Sequence, residues 1–259
     1  MQDIVSQING YVWSYWLVGL CLGAGLMFSL LTRFLQVRHF RHMIELLFSS
    51  KESDRGISSF QALTVSLSGR VGTGNIAGVA AAIGFGGPGA VFWMWVVAFF
   101  GAATAYVEAA LGQIYKEEDE GQLRGGPAFY IEKAMGQRWY AWAFAIATIL
   151  ATGLLLPTVQ ANAISTSAEI AFGTNGSLTT ALGTISYTKL GAAIVVVIIF
   201  GFIIFGGVKR IAHVTQVVVP FMALGYIVIA VGIVLWNVSE LPRIVGMIIG
   251  DAFTPMAGL

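Results

Sequence analysis

The chain has 259 residues, of which 57% are hydrophobic and only 10% are charged, and its formal net charge is +1. Soluble domains carry about 25% charged residues, so this chain cannot cover a globular surface with polar side chains, and its charge balance offers no patch for a nucleic acid. A soluble enzyme, a disordered tail and a nucleic-acid-binding protein are excluded. The single Cys21 also excludes a disulfide scaffold.

Six apolar runs are long enough to cross the hydrocarbon core of a membrane, which takes roughly 20 helical residues. They lie near residues 11–32, 61–84, 91–115, 139–166, 190–208 and 213–236. A seventh run begins near residue 243 and is cut off by the end of the sequence. These runs predict an all-α, multi-pass membrane protein and give no sign of an enzyme.

Basic residues mark alternate connections between the runs. Segments 33–55, 116–138 and 209–210 hold most of the Lys and Arg residues, and basic connections stay on the cytoplasmic side. The sequence therefore predicts a protein of the cytoplasmic (inner) membrane with its N-terminus outside.

Several stretches favour a place at the membrane surface. Residues 36–48 and 126–136 have the pattern of short interfacial helices. Trp93 and Trp95 are interpreted as parts of an aromatic belt at the membrane interface, and the polar segment 171–188 as a flexible outer connection.

The second run carries polar groups at mid-membrane depth, where they are expensive and usually functional. Segment 66–78 contains an arginine, an asparagine, two serines, a threonine and four glycines. Closely spaced glycines favour a break in the helix within residues 70–75, which exposes amides that can face an anion and carbonyls that can face a cation. The alternative is that Gly74 and Gly78 only allow a neighbouring helix to pack closely, which leaves Arg70, Thr73 and Asn75 unexplained.

A second interruption is predicted in the seventh run, where Pro255 and Gly258 fall within segment 251–258. The two interruptions are five runs apart. Interrupted helices at corresponding places in two halves indicate a secondary transporter with inverted repeats. The sequence therefore predicts the first repeat and only the opening of the second.

At these residues the chain resembles the alanine or glycine:cation symporter family, sodium-coupled carriers of small amino acids. The motifs that carry the resemblance are Gly-Thr-Gly-Asn at 72–75, Tyr106 with Glu108, Gly125-Gly126-Pro127, Gln160-Ala161-Asn162 and Ala-Phe-Thr-Pro at 252–255. The resemblance implies a five-plus-five inverted-repeat amino-acid transporter fold with one extra N-terminal helix, truncated here after the first repeat. Members of the family are nearly twice as long.

Domain boundaries follow from this resemblance. We expect an extra transmembrane helix in 1–35, an interfacial segment in 36–58, the first five-helix repeat in 59–238 with its broken helix at 68–76, and the incomplete second repeat in 239–259. The partners expected are the lipid bilayer and the remaining half of the full-length chain, without which the 259 residues are not expected to transport.

The resemblance also assigns roles to individual residues. It implies Na⁺ as the coupling ion, bound by carbonyls near Ser68, Gly69, Arg70 and Val71 with the amide oxygen of Asn75. It implies alanine or glycine as the substrate, with its carboxylate on the amides near Gly72, Thr73 and Gly74. Gln160 and Asn162 lie in the fourth run, at the depth where family members close the pocket.

Other interpretations stay open. Glu108 can be a coupling carboxylate, a partner for Arg70, or an acceptor for free amides of the second broken helix. The function expected is sodium-coupled symport of a small neutral amino acid by alternating access. The alternatives are a proton-coupled amino-acid transporter, with Glu108 carrying the proton, and a non-transporting membrane scaffold. A channel would need rings of charge or carbonyls from repeated subunits, which one asymmetric break does not supply.

Overall fold

The computed structural model describes residues 2–48, 57–119, 122–180 and 183–254. The α-helices in these ranges are α1 (Gln2–Val12), α2 (Tyr15–Leu31), α3 (Leu35–Arg38), α4 (Phe40–Phe48), α5 (Ser59–Ser68), α6 (Ala77–Gly86), α7 (Gly89–Ile114), α8 (Pro127–Met135), α9 (Arg138–Thr148), α10 (Leu156–Phe172), α11 (Tyr187–Ile204), α12 (Gly207–Trp236) and α13 (Leu241–Asp251). Short 3₁₀ helices occupy Thr73–Asn75 and Val238–Glu240, and a π-helix occupies Ile149–Leu155.

Five helical stretches in the described ranges are long and apolar enough to cross a membrane. They are Ser6–Leu31, Gly89–Ile114, Arg138–Phe172, Tyr187–Ile204 and Gly207–Trp236. Little of their surface is buried within the chain, and large apolar side chains such as Phe205 and Trp236 are almost fully exposed. A chain that turns its apolar side chains outward needs an apolar solvent, so the multi-pass membrane protein expected from the sequence is confirmed.

Two short antiparallel hairpins interrupt the helical fold. Strand β1 (Glu117–Asp119) pairs with β2 (Gln122–Arg124), and β3 (Ser177–Thr180) pairs with β4 (Gly183–Ser186). The second hairpin lies inside the polar segment 171–188, which therefore has regular structure where the sequence suggested only a flexible connection. Strands of four residues, most of them Ser, Thr or Gly, are too short and too polar to show the alternation of apolar and polar residues that predicts a strand.

The chain divides into two compact units. The first comprises Met1–Phe48, Ala80–Gln137 and Asn237–Leu259. In it, α7 is the central helix, against which α2, α3, α8 and α13 pack. Ala103, in the middle of α7, is only 2% exposed.

The second unit comprises Ser49–Val79 and Arg138–Trp236. In it, α5 packs along α12, α10 packs on α11, and α11 packs on α12. The buried Thr64 of α5 and Ala212 of α12 mark its interior. This unit contains the interrupted second run and the fourth run, and therefore most of the residues to which the sequence assigns a binding role.

The connection between α11 and α12 differs from the sequence-based expectation. Lys209 and Arg210 lie in the first turn of α12 and not in a separate turn at 209–210. The Arg210 guanidinium donates to the Phe202 carbonyl at 3.0 Å and lies over the Phe202 ring. Arg210 thereby satisfies a carbonyl at the end of α11, a position where a cation also interacts favourably with the helix dipole.

Candidate functional site

The second apolar run is not one helix. Helix α5 begins at a capping box, in which the Ser58 hydroxyl accepts from the Gln61 amide and the Gln61 side chain accepts from the Ser58 amide. It ends at Ser68, and regular α-helix resumes only at Ala77, the start of α6. The interruption therefore covers residues 69–76, which includes the stretch where glycines and polar side chains alternate.

The chain leaves α5 through a tight turn. The amides of Arg70 and Val71 both donate to the Leu67 carbonyl, at 2.9 and 2.8 Å. Gly72 is fully extended, and Thr73–Asn75 form a single 3₁₀ turn. In a continuous helix the amides of residues 72–75 would donate to the carbonyls of residues 68–71. Here the Gly72 and Asn75 amides bond to each other's residue, the Thr73 amide bonds to Gln160 and the Gly74 amide has no acceptor in the described part of the chain, so these carbonyls lose their usual helical donors.

Asn75 closes this turn on itself. Its side-chain oxygen Oδ1 accepts from the Gly72 amide at 3.0 Å, and its own amide donates to the Gly72 carbonyl at 3.1 Å. The side chain replaces the backbone acceptor that a continuous helix would have offered to Gly72. One lone pair of Oδ1 is thus engaged, and the other remains for a further partner.

Gln160 holds the break from the side of α10. Its Oε1 accepts from the Thr73 hydroxyl at 2.9 Å and from the Thr73 amide at 3.3 Å. Gly72 lies so close that a Cβ placed on it would be 2.8 Å from Gln160 Nε2. A side chain at position 72 would therefore have to displace the end of the Gln160 side chain, although the extended backbone of Gly72 is open to any residue.

Four consecutive backbone carbonyls in the break, those of Ser68, Gly69, Arg70 and Val71, accept no hydrogen bond from the described part of the chain. The Gly74 amide likewise has no acceptor there. Unpaired carbonyl oxygens suit a hard cation, and unpaired amides suit a carboxylate. The break thus exposes the two kinds of group that an amino acid and a small cation need.

The other predicted residues have different surroundings. Arg70 and Glu108 are exposed, and neither side chain forms an ion pair or hydrogen bond within the described residues. Their proposed roles stay predictions. Asn162 is exposed and lies two residues from Gln160 on α10. Residues two apart on a helix point to different sides, so Gln160 and Asn162 do not share a face. Gln160 bonds to the break, and the role of Asn162 stays a prediction.

No helix of the described residues packs closely on Gly74 or Gly78, since a Cβ built on either residue would meet no atom within 4 Å. Gly72 is the glycine of this segment that has a close neighbour, and that neighbour is a polar side chain rather than a packed helix.

A feature that the sequence analysis missed is the π-helix at Ile149–Leu155, which joins α9 to α10. The Leu156 amide donates to the Ala151 carbonyl, five residues earlier. Pro157 follows directly and has no backbone N–H to donate. The combination of Thr152, Gly153 and Pro157 was the signal that the sequence offered. Widened turns occur mostly at functional sites, and this one ends five residues before Gln160.

The chain matches the sodium:alanine symporter family over residues 1–258. Two similar proteins of Bacillus subtilis have names that propose sodium/proton-dependent alanine carriage (YrbD, 52% identical) and sodium/glutamine symport (GlnT, 40% identical). Each alignment covers 98% of this chain. A sodium/proton-dependent alanine carrier protein of Bacillus sp. strain PS3 is 44% identical over 82% of this chain.

The chain spans about half the length of the curated relatives that it matches. It covers 50% of YrbD, 51% of GlnT and 44% of the PS3 protein. These relatives have names that agree on a cation-coupled carrier and differ in the amino acid carried.

Proposed function

Since the chain belongs to the sodium:alanine symporter family, we propose that it is part of a carrier that couples sodium entry to uptake of a small neutral amino acid. Alanine or glycine is the proposed substrate, and alternating access is the proposed mechanism. Substrate and ion bind at the interruption of the second run, at residues 69–76.

The observation that carries this proposal is the set of unpaired carbonyls at Ser68, Gly69, Arg70 and Val71. Unpaired backbone groups at membrane depth are costly, so they persist where they line a binding cavity. Sodium takes these carbonyl oxygens together with the second lone pair of Asn75 Oδ1. A carrier coupled to protons alone would not need four consecutive unpaired carbonyl oxygens.

The substrate carboxylate is proposed to bind at the amino end of the half-helix that follows the break. The free Gly74 amide offers the first donor, and the Thr73 amide and hydroxyl offer two more once a carboxylate oxygen replaces Gln160 Oε1. In this scheme Gln160 holds the unwound backbone between transport cycles. Its amide then turns Nε2 toward the bound carboxylate.

Proton coupling is the second candidate, and Glu108 is the residue that favours it. This carboxylate lies within α7 and has no hydrogen-bonding partner among the described residues. Ionisable residues within membrane-spanning helices usually have a functional role, and in this alternative Glu108 carries the coupling proton. The names of two relatives include both ions.

We further propose that the N-terminus lies outside and that the β1–β2 hairpin is cytoplasmic. The test uses a Cys21→Ser background with one cysteine introduced at Glu118 or at Thr179, both exposed. A membrane-impermeant maleimide added to intact cells should label position 179 and not position 118. The reverse labelling pattern would invert the orientation.

Uptake of labelled alanine into proteoliposomes that contain the full-length protein tests the coupling ion. One set of vesicles has an inward sodium gradient without a proton gradient, and the other has the reverse. Symport with sodium predicts alanine accumulation in the first set alone. Accumulation in the second set alone would establish the proton-coupled carrier, and accumulation in neither would contradict cation-coupled alanine transport.

A further inference from the structure

The end of α13 is held by α7 within the first compact unit. The Trp93 indole Nε1–H donates to the Ala252 carbonyl at 2.7 Å. Four residues earlier on α7, Gly89 approaches so closely that a Cβ on it would overlap the Asp251 carbonyl. Ala252 is only 1% exposed at this joint.

Aromatic rings close the joint. Phe253 lies 6.3 Å from Trp93 and 5.6 Å from Phe92, measured between ring centroids. The polar nitrogen of Trp93 is therefore bonded within the protein, and the place of Trp93 in the aromatic belt stays a prediction. Trp95, two residues further along α7, is 55% exposed and keeps the interpretation as a belt residue.

The end of α13 needs donors because the last carbonyls of a helix have no intrahelical partner. The Asp251 carbonyl accepts from both the amide (3.1 Å) and the hydroxyl (2.7 Å) of Thr254. Trp93 supplies the donor for Ala252. In the break after α5, by contrast, the carbonyls from Ser68 to Val71 stay free.

The ends of α5 and α13 therefore differ at these carbonyls. Those of Asp251 and Ala252 are occupied by donors of the protein, whereas those of Ser68 to Val71 accept no hydrogen bond from the described part of the chain. The hydrogen bond between Trp93 and Ala252 satisfies both groups. An indole N–H and a carbonyl are each costly when unpaired in an apolar medium.

We propose that Trp93 is a positioning residue that fixes the end of α13 to α7. It holds residues 252–254 in one orientation relative to α7; the second interruption expected at Pro255 and Gly258 lies outside the described residues. This inference rests on the proposed function for its consequence in transport. A binding site that is preorganised in a larger fraction of molecules has a higher apparent affinity.

The test compares Trp93→Phe with Trp95→Phe in the full-length protein. Phenylalanine at position 93 keeps a ring beside Phe253 and removes the N–H donor. The loss of one hydrogen bond of ordinary strength corresponds to a change of about 2- to 10-fold. We expect the KM for alanine to rise by that factor in Trp93→Phe with kcat nearly unchanged, and we expect Trp95→Phe to match the wild type.

Hydrogen–deuterium exchange of the peptide that contains Phe253 and Thr254, in lipid nanodiscs, reports on the joint without any transport. Exchange should be faster in Trp93→Phe and unchanged in Trp95→Phe. Gly89→Ala is a second variant at the same joint and should accelerate the same exchange by steric displacement of Asp251.

The two readouts separate the possible failures. An unchanged rate of hydrogen–deuterium exchange in both Trp93→Phe and Gly89→Ala would show that Trp93 does not hold the end of α13. Faster exchange with an unchanged KM would overturn its positioning role. A wild-type protein that does not transport alanine would refute the proposed function, while the exchange comparison would still decide whether Trp93 holds Ala252.

Discussion

Asn75 combines two tasks in one side chain. Its Oδ1 replaces the missing helical acceptor for the Gly72 amide at 3.0 Å, and its remaining lone pair faces the environment of the break. The sequence suggested the cation-binding task, because an asparagine at membrane depth needs a reason. The hydrogen bond to Gly72 was not predictable, since it depends on the extended backbone of Gly72, which no local pattern specifies.

Replacement of Asn75 by leucine should weaken sodium binding. Loss of one oxygen ligand of a desolvated cation should cost at least as much as loss of a hydrogen bond to a charged group, about 1.5–3 kcal/mol. We therefore expect the sodium concentration for half-maximal alanine uptake to rise roughly tenfold or more. Asn75→Asp keeps an oxygen at the same place and should retain more of the sodium affinity than Asn75→Leu. Equal sodium affinity in Asn75→Leu and wild type, at equal membrane insertion, would refute the role.

Gly72→Ala should impair uptake through Gln160. The added Cβ would lie 2.8 Å from Nε2, so the Gln160 side chain must move and its bonds to Thr73 weaken. We expect a loss of about 2- to 10-fold in alanine uptake, the range of one hydrogen bond. Gly78→Ala is the matched control, because a Cβ there meets no atom within 4 Å. Equal uptake by the two variants would show that the close approach at Gly72 has no consequence.

Gln160 and Thr73 should act as one unit. Gln160→Leu removes the acceptor of both Thr73 bonds and should raise the KM for alanine, and Thr73→Val should do the same by removing the hydroxyl. Because both changes break the 2.9 Å bond, the double variant should be less impaired than the sum of the single effects. Additive effects on KM in a double-mutant cycle would mean that the two residues act independently.

At the scale of helices, the sequence indicated the broken run and missed the π-helix. The break was visible because four glycines and several polar side chains fall at one depth in segment 66–78. Pro157 lies in an apolar run, and hydropathy does not distinguish an α-helix from a widened turn. The π-helix at Ile149–Leu155 therefore does not show in hydropathy, and its signal is limited to Thr152, Gly153 and Pro157. We infer that this change of register sets the direction in which Gln160 points.

Pro157→Ala tests that register. Alanine restores an amide at position 157, so the preceding widened turn can relax to a regular α-helix. One residue of register rotates the following helix by about 100°, which would carry Gln160 away from Thr73. We expect alanine uptake to fall in Pro157→Ala while Pro220→Ala, in regular α12, has the smaller effect. Full uptake with Pro157→Ala would show that the widened turn does not position Gln160.

At the scale of the molecule, composition alone identified the class of protein. An excess of apolar residues that the folded chain leaves exposed requires a membrane, and the structure has the long apolar helices that this predicts. The chain also belongs to the sodium:alanine symporter family. In the function proposed above, the choice of ion and substrate depends on a few oxygen and nitrogen atoms in residues 69–76, which contribute almost nothing to composition.

Coupling between sodium and alanine is reciprocal if both bind to one carrier, so alanine must also drive sodium. The most direct test measures ²²Na⁺ entry into proteoliposomes of the full-length protein when alanine is added outside, with no sodium gradient. We predict alanine-dependent sodium entry that is strongly reduced in Asn75→Leu and retained in Gly78→Ala. Alanine uptake without any accompanying sodium entry would contradict the assignment of the free carbonyls at Ser68 to Val71 to sodium.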